Sequence, residues 1–209
     1  MIASGTHPTL RRMGDRVRSS YFVAGSILLA WIAVALAAGQ GLTATQGSQL
    51  LLKFGACDGL TIGAHQWWRL ITAQWLHARF GHMLFNAAAV AFAGGLLERR
   101  LAWWRLWLLY LLGGGLATLA SAWAYPSEVS YGASQAMLVL CGAALAGRWT
   151  RPRPSKAATV LLLVVAIQLA LDLKAIHTIK AGHLVGLAIG LIAGMATRFQ
   201  VQRPALTTS

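Results

Sequence analysis

Six apolar stretches, separated by polar or basic connections, dominate the chain: Tyr21–Gly41, His82–Leu97, Trp103–Ala124, Gly132–Trp149, Ala157–Leu173 and Ala181–Phe199. Apolar runs of about 17–25 residues predict helices that cross a bilayer, because lipid offers the backbone no hydrogen-bonding partner. The predicted architecture is an all-α membrane protein, a six-transmembrane-helix bundle over residues 21–199, with a basic arm at 1–20 and a short tail at 200–209. Two of the stretches, His82–Leu97 and Gly132–Trp149, are short for a crossing. A helix that begins below the membrane surface needs a water-filled cavity at its open end. Both of these begin with polar residues.

The connection from Leu42 to Gly81 is long and amphipathic. In it Leu50-Leu51-Leu52, Trp67-Trp68 and Trp75-Leu76 alternate with His65, Arg69 and His77. This pattern predicts a loop that packs on the bundle or lies partly embedded in the interface, where Trp is favoured. The fourth connection, Thr150-Arg151-Pro152-Arg153-Pro154-Ser155, reads as a polar turn.

Composition sharpens this picture. Of 209 residues, 57% are hydrophobic and 11% charged, which excludes an ordinary soluble surface and makes the lipid bilayer the expected surroundings. A net charge of +13 would suggest nucleic acid for a soluble chain. Here it follows topology, and no nucleic-acid partner is expected. Arg11, Arg12, Arg16, Arg18, Arg99, Arg100, Arg105, Arg148, Arg151, Arg153, Lys156, Arg198 and Arg203 fall on one side of the predicted bundle. Only Lys53, Arg69, Arg79, Lys174 and Lys180 fall on the other. The positive-inside rule then makes both termini cytoplasmic. The compact six-helix form and this charge pattern point to a bacterial inner membrane. The first stretch is expected to be retained rather than cleaved, since it is long and lacks a small-residue cleavage site. Cys57 and Cys141 lie in a loop and deep in a helix, which argues against a bridge between them, and no cysteine spacing suggests a metal.

The candidate chemistry lies in the polar residues held among apolar ones. Ser134 opens the fourth stretch, where a helix N-terminus offers unpaired N–H groups and partial positive charge to a developing oxyanion. Gly132 and Ala133 before it leave room for a peptide. His183 lies near the start of the sixth stretch, followed at four-residue intervals by Gly186, Gly190 and Gly194. Such a stripe lets a neighbouring helix approach closely. If that neighbour is the fourth helix, Ser134 and His183 meet as nucleophile and general base. His82 and Asn86, four residues apart, share a helix face and could both donate to an oxyanion. Taken singly, each of these residues also fits an interhelical hydrogen bond without chemistry. A metal site on His77, His82 and His183 has no carboxylate or cysteine to complete it, so no metal and no cofactor are expected. The acidic residues Asp15, Asp58, Glu98, Glu128 and Asp172 stand away from the middle of these helices, which predicts a Ser–His dyad without a carboxylate.

In this order and on these stretches, the residues resemble the rhomboid family of intramembrane serine proteases. The resemblance runs from about Trp67 to Gly194. It is carried by Trp68-Arg69, His77, His82-Met83-Leu84-Phe85-Asn86, Leu97-Glu98-Arg99-Arg100, Gly132-Ala133-Ser134 and Gly182-His183-Leu184-Val185-Gly186-Leu187-Ala188-Ile189-Gly190. It implies Ser134 as nucleophile and His183 as base, with His82, Asn86 and the Ser134 backbone N–H as the oxyanion hole. It also implies transmembrane protein substrates cut near a small residue, lateral entry gated by the fifth helix and its loops, and a structural ion pair of Glu98 with Arg99 or Arg100. The rhombosortase subgroup, which processes C-terminal anchors of secreted proteins, fits the same residues, although the Glu98-bearing helix end resembles the general rhomboids more.

The sequence departs from the family at two positions. Gln135 stands where family members usually carry Gly, and its amide is expected to crowd or line the pocket. Leu138 stands where many place an aromatic ring against the histidine. Both favour the alternative reading, a catalytically inactive rhomboid-like protein that binds membrane clients. A small transporter or channel would instead show a polar stripe through the bundle, whereas the polar residues here gather at one end of three helices. Substrate identity and oligomeric state are left open.

Overall fold

The computed structural model describes residues 19–147, 155–176, 178 and 180–201. Arg11, Arg12, Arg16, Arg18, Arg148, Arg151, Arg153 and Arg203 of the charge argument lie outside the described residues, as do most of the 1–20 arm and residues 202–209 of the tail. The described chain is helical throughout, without a β-strand. Helix α1 is Ser19–Ala37; the following loop folds into three short helices, α2 (Ser48–Lys53), α3 (Gly59–Gly63) and α4 (Arg69–Thr72), and a 3-10 turn at Ala73–Trp75. Then come α5 (Phe80–Leu97), α6 (Trp103–Ala124), α7 (Ser134–Ala146), α8 (Lys156–Ile176) and α9 (Ala181–Val201). The six long elements follow the six apolar stretches closely. Four of them, α1, α5, α6 and α8, are long and apolar enough to cross a membrane. Helix α7 is shorter, 13 residues or about 20 Å at 1.5 Å per residue.

Helix α7 is the axis of the bundle, and every one of its residues is buried. A helix surrounded by protein on all sides can be apolar all round, and Ala136, Met137, Leu138, Leu140 and Cys141 join the core shared with α1, α5, α6 and α8. The long loop packs on this bundle rather than trailing from it. Asp58 and Thr61 form a capping box at the start of α3. The Arg69 guanidinium donates to the carbonyls of Leu52 and Ala56, at 2.6 and 2.7 Å. Cys57 pairs through its backbone with Ser130, which ties the loop to the approach of α7. Both cysteines are buried and free.

Helix α6 contains a π turn at Leu109–Gly113. Its Leu111 carbonyl accepts from the side chain of Gln74, which reaches in from the loop. A Cβ on Gly114 would collide with that side chain and would stand 2.6 Å from Ala136 Cβ. The missing side chain therefore lets loop, α6 and α7 meet at one point.

The glycine stripe of α9 meets α7. A Cβ on Gly186 would stand 2.6 Å from the Gln135 carbonyl oxygen, one on Gly190 would strike that of Val139, and one on Gly194 would stand 2.5 Å from that of Ala143. Gly142 of α7 reciprocates against the Leu187 carbonyl at 2.6 Å. The two backbones are in contact, which only glycine permits. Gln135 adds a polar tie above the stripe: its Oε1 accepts from Thr118 Oγ1 at 2.7 Å, and its Nε2 donates to Ser121 Oγ at 3.0 Å. Ser121 Oγ in turn accepts from the Gly182 N–H.

The ion pair expected of Glu98 is not found among the described residues. Its carboxylate instead accepts from the Ser20 N–H at 2.8 Å and the Ser20 hydroxyl at 3.0 Å, so it satisfies the open end of α1. Arg100 donates to the Gly147 carbonyl at the end of α7. The carboxylate fits this task better because two buried donors, not an exposed cation, need a partner.

Two expectations follow. Gly190→Val should destabilise the fold by roughly 1–3 kcal/mol through overpacking, read as a lower Tm in detergent. Gly25→Ala, where an added Cβ meets nothing within 4 Å, should not. Gln135→Met, which removes both side-chain hydrogen bonds at similar volume, should cost about 1–3 kcal/mol in the same measurement.

Candidate active site

Ser134 is the first residue of α7, so its N–H lacks a partner within the helix. Gly132, just before it, has φ +109°, a conformation that side chains rarely adopt. A Cβ there would sit at an ordinary 3.8 Å from Ser134 Oγ and from the His77 ring. Gly132 is therefore required by backbone conformation rather than by space for a ligand. The turn that it makes possible delivers Ser134 to the helix end.

His183 lies in the first turn of α9, and the close approach of α9 to α7 brings it to Ser134. Ser134 Oγ and His183 Nε2 are 2.7 Å apart, and both residues are buried. The other ring nitrogen does not face empty space. His183 Nδ1 lies 2.6 Å from Asp172 Oδ2, on the inward face of α8. A carboxylate accepts, so Nδ1 carries the proton and Nε2 presents its lone pair to the Ser134 hydroxyl. The sequence reading places no carboxylate near the pair; the structure brings Asp172 to it. Asp172 also accepts from the Lys180 N–H at 3.1 Å. In the sequence Asp172 stands near a helix end, eleven residues before His183. One signal was available. Asp172 is the single acidic residue inside the six apolar stretches, four residues after Gln168. Both are buried, on the face that also buries Ala158, Leu161 and Val165.

His82 and Asn86 lie on α5 as their spacing predicts, but they do not act as a simple pair. Asn86 is buried, and its Nδ2 donates to His77 Nε2 at 3.0 Å. The Ala133 N–H donates to the same nitrogen at 3.2 Å, while His77 Nδ1 donates to the Trp75 carbonyl. This set of partners fixes the His77 tautomer and the orientation of the Asn86 amide. Burial, helped by the nearby His82, pushes the His77 imidazole down to about 3, so it stays neutral and accepting. His82 is half-buried, its ring stacked on Phe85 and 6.0 Å from that of His77. His77, in the loop, is thus the link from α5 to the residue preceding Ser134.

The Gln135 amide lies in the contact of α6 with α9, where Thr118 and Ser121 hold it. A glutamine follows Ser134 because α6 offers two hydroxyls there. Leu138 is fully buried in the core. Asp172 contacts Nδ1 of an imidazole against which many members of the family place an aromatic ring. Gly186 and Gly190 belong to helix packing. Chemically, the cluster offers a hydroxyl hydrogen-bonded to an oriented imidazole at a helix N-terminus, beside an amide donor.

The Rhomboid domain family matches residues 64–199, more than half of the chain. RHOMBOID-like protein 1 of Arabidopsis thaliana is 35% identical over 152 residues, covering 70% of this chain and 39% of the relative. RHOMBOID-like protein 6, mitochondrial, from the same plant is 34% identical, covering 74% and 52%. Rhomboid protease GluP of Bacillus subtilis is 31% identical, covering 71% and 30%. The chain therefore spans from 30% to 52% of the length of these relatives. Its apolar helices and these matches make it a multi-pass membrane protein. On the family match and the level of identity together, the chain belongs to the rhomboid family.

Proposed function

We propose that the protein is an intramembrane serine endopeptidase that hydrolyses peptide bonds in or near transmembrane segments of membrane proteins. The observation that carries this reading is the 2.7 Å hydrogen bond between Ser134 and His183 at the buried N-terminus of α7. Ser134 Oγ attacks the scissile carbonyl and its proton passes to His183 Nε2, which returns it to the leaving amine. Water then cleaves the acyl-enzyme with His183 as base. The oxyanion is held by the Ser134 N–H and by Asn86, oriented through His77, with His82 at the edge of the site. The GluP relative is named a rhomboid protease, which agrees with this assignment.

The proposed topology has six crossings with both termini cytoplasmic. The short α7 starts at the site, where hydrolysis requires water, and so belongs to a cavity open to the external face. The relatives include plant and bacterial proteins, so a bacterial inner membrane rests on the charge asymmetry and compact form alone.

Fluorophosphonate labelling of the purified protein tests the nucleophile. Label should enter the wild type and be lost in Ser134→Ala and His183→Ala; an unlabelled, well-folded wild type would overturn the assignment. Asn86→Ala should lower kcat on a transmembrane substrate by about 10²–10³-fold with little change in KM, as expected for a donor used in the transition state. His77 also predicts a pH effect. The unfolded chain protonates it below about 6.5 and the folded protein only near 3. Its contribution to stability is therefore complete above 6.5 and lost as pH falls toward 3. The slope of Tm against pH in that window should be smaller in His77→Gln than in the wild type.

A further inference from the structure

We infer that Asp172 is a positioning residue for His183, and that by standing on α8 it makes the orientation of the base depend on the seating of that helix. The inference rests on the proteolytic reading above and extends it from a pair to a triad.

Three observations converge. Asp172 Oδ2 is 2.6 Å from His183 Nδ1, the shortest polar contact at the site, and both side chains are 4% exposed. An imidazole rotates freely between tautomers and ring orientations unless its second nitrogen is held. The carboxylate keeps the proton on Nδ1 and stabilises the imidazolium that forms when Ser134 gives up its own proton. The proton taken from Ser134 rests on His183 Nε2 and passes to the leaving amine, so none is left without a destination. Second, α8 presents Ala158, Leu161, Val165, Gln168 and Asp172 inward at heptad-like intervals, while Leu162, Leu163, Ile167, Leu171 and Leu173 are exposed. A helix with so narrow a buried face is held by few contacts, and its last inward residue is the one on the imidazole. Third, Asp172 also accepts the Lys180 N–H, which joins the end of α8 to the start of α9. Displacement of α8 would break both bonds and leave His183 Nδ1 without its acceptor.

The charged and titratable neighbours are few. His82 on α5 lies within electrostatic reach of His183, Asp172, Lys180 and Arg79. Of these, Asp172 is the only anion and the one in contact with the ring.

The test is Asp172→Leu in the intact chain in detergent, which keeps a similar volume and removes the acceptor of Nδ1. We expect kcat to fall on the order of 10⁴-fold with KM little changed. Asp172→Asn, whose amide oxygen can accept from His183 Nδ1 and the Lys180 N–H as Oδ2 does, should recover part of that loss. A purely structural tie would lower Tm with kcat little changed. Wild-type kcat in Asp172→Leu would overturn the inference. Because the variant could unfold, ¹⁵N-histidine NMR of the wild type provides an independent check. His183 should show a protonated Nδ1 whose proton lies far downfield and a pyridine-like Nε2, in a signal lost in His183→Ala and kept in Ser134→Ala. A protonated Nε2 in the wild type would overturn it as well. If the wild type neither cleaves nor labels, the proteolytic reading fails, and the NMR result still decides whether Asp172 holds the imidazole.

Discussion

The contact of α7 with α9 at backbone distance is the constraint on which the rest of this structure depends. Without side chains at Gly186, Gly190 and Gly194, the helices approach until Cβ atoms would strike carbonyl oxygens. In a bilayer no hydrophobic force drives helix against helix, so close van der Waals packing takes its place. The geometry of the candidate site follows directly. Ser134 starts one helix and His183 lies in the first turn of the other, so their 2.7 Å contact is set by how the two helices seat on each other. A shift of one ångström along the stripe would separate them.

Around that contact, several buried polar groups are paired across elements. His77 accepts from Asn86 and Ala133, Gln135 bridges two hydroxyls of α6, Glu98 accepts from Ser20, and Asp172 accepts from His183 and Lys180. Each bond joins different elements, and each would strand a buried group if one partner were lost. The loop between α1 and α5 is part of this scaffold. It supplies His77, which holds Asn86, and Gln74, which enters the π turn of α6.

The two family departures acquire physical meanings in this setting. Gln135 is accommodated because Thr118 and Ser121 face it, and Leu138 because α7 is enclosed on all sides. The orienting partner of the imidazole comes from α8 instead. A helix with a largely exposed apolar surface thus contributes one decisive side chain. The lipid that surrounds it and the polar site beneath it are separated by a single helical face.

Hydrophobic patterning alone determined the six long helices, since a bilayer leaves an apolar run of that length no other way to satisfy its backbone. Spacing alone determined the glycine stripe and the shared face of His82 and Asn86, because both are properties of one helix. Tertiary structure decided the rest. Whether the stripe met α7 or another helix, whether Asn86 served His82 or His77, and where Gln135 turned all depended on which faces met. Asp172 is the clearest case: a lone acid among apolar residues marks an inward position, but the partner it finds is set by the seating of α8 and α9 on α7. Periodicity along a chain defines the faces of a helix, whereas hydrogen bonds between helices depend on angles and distances that no linear pattern contains.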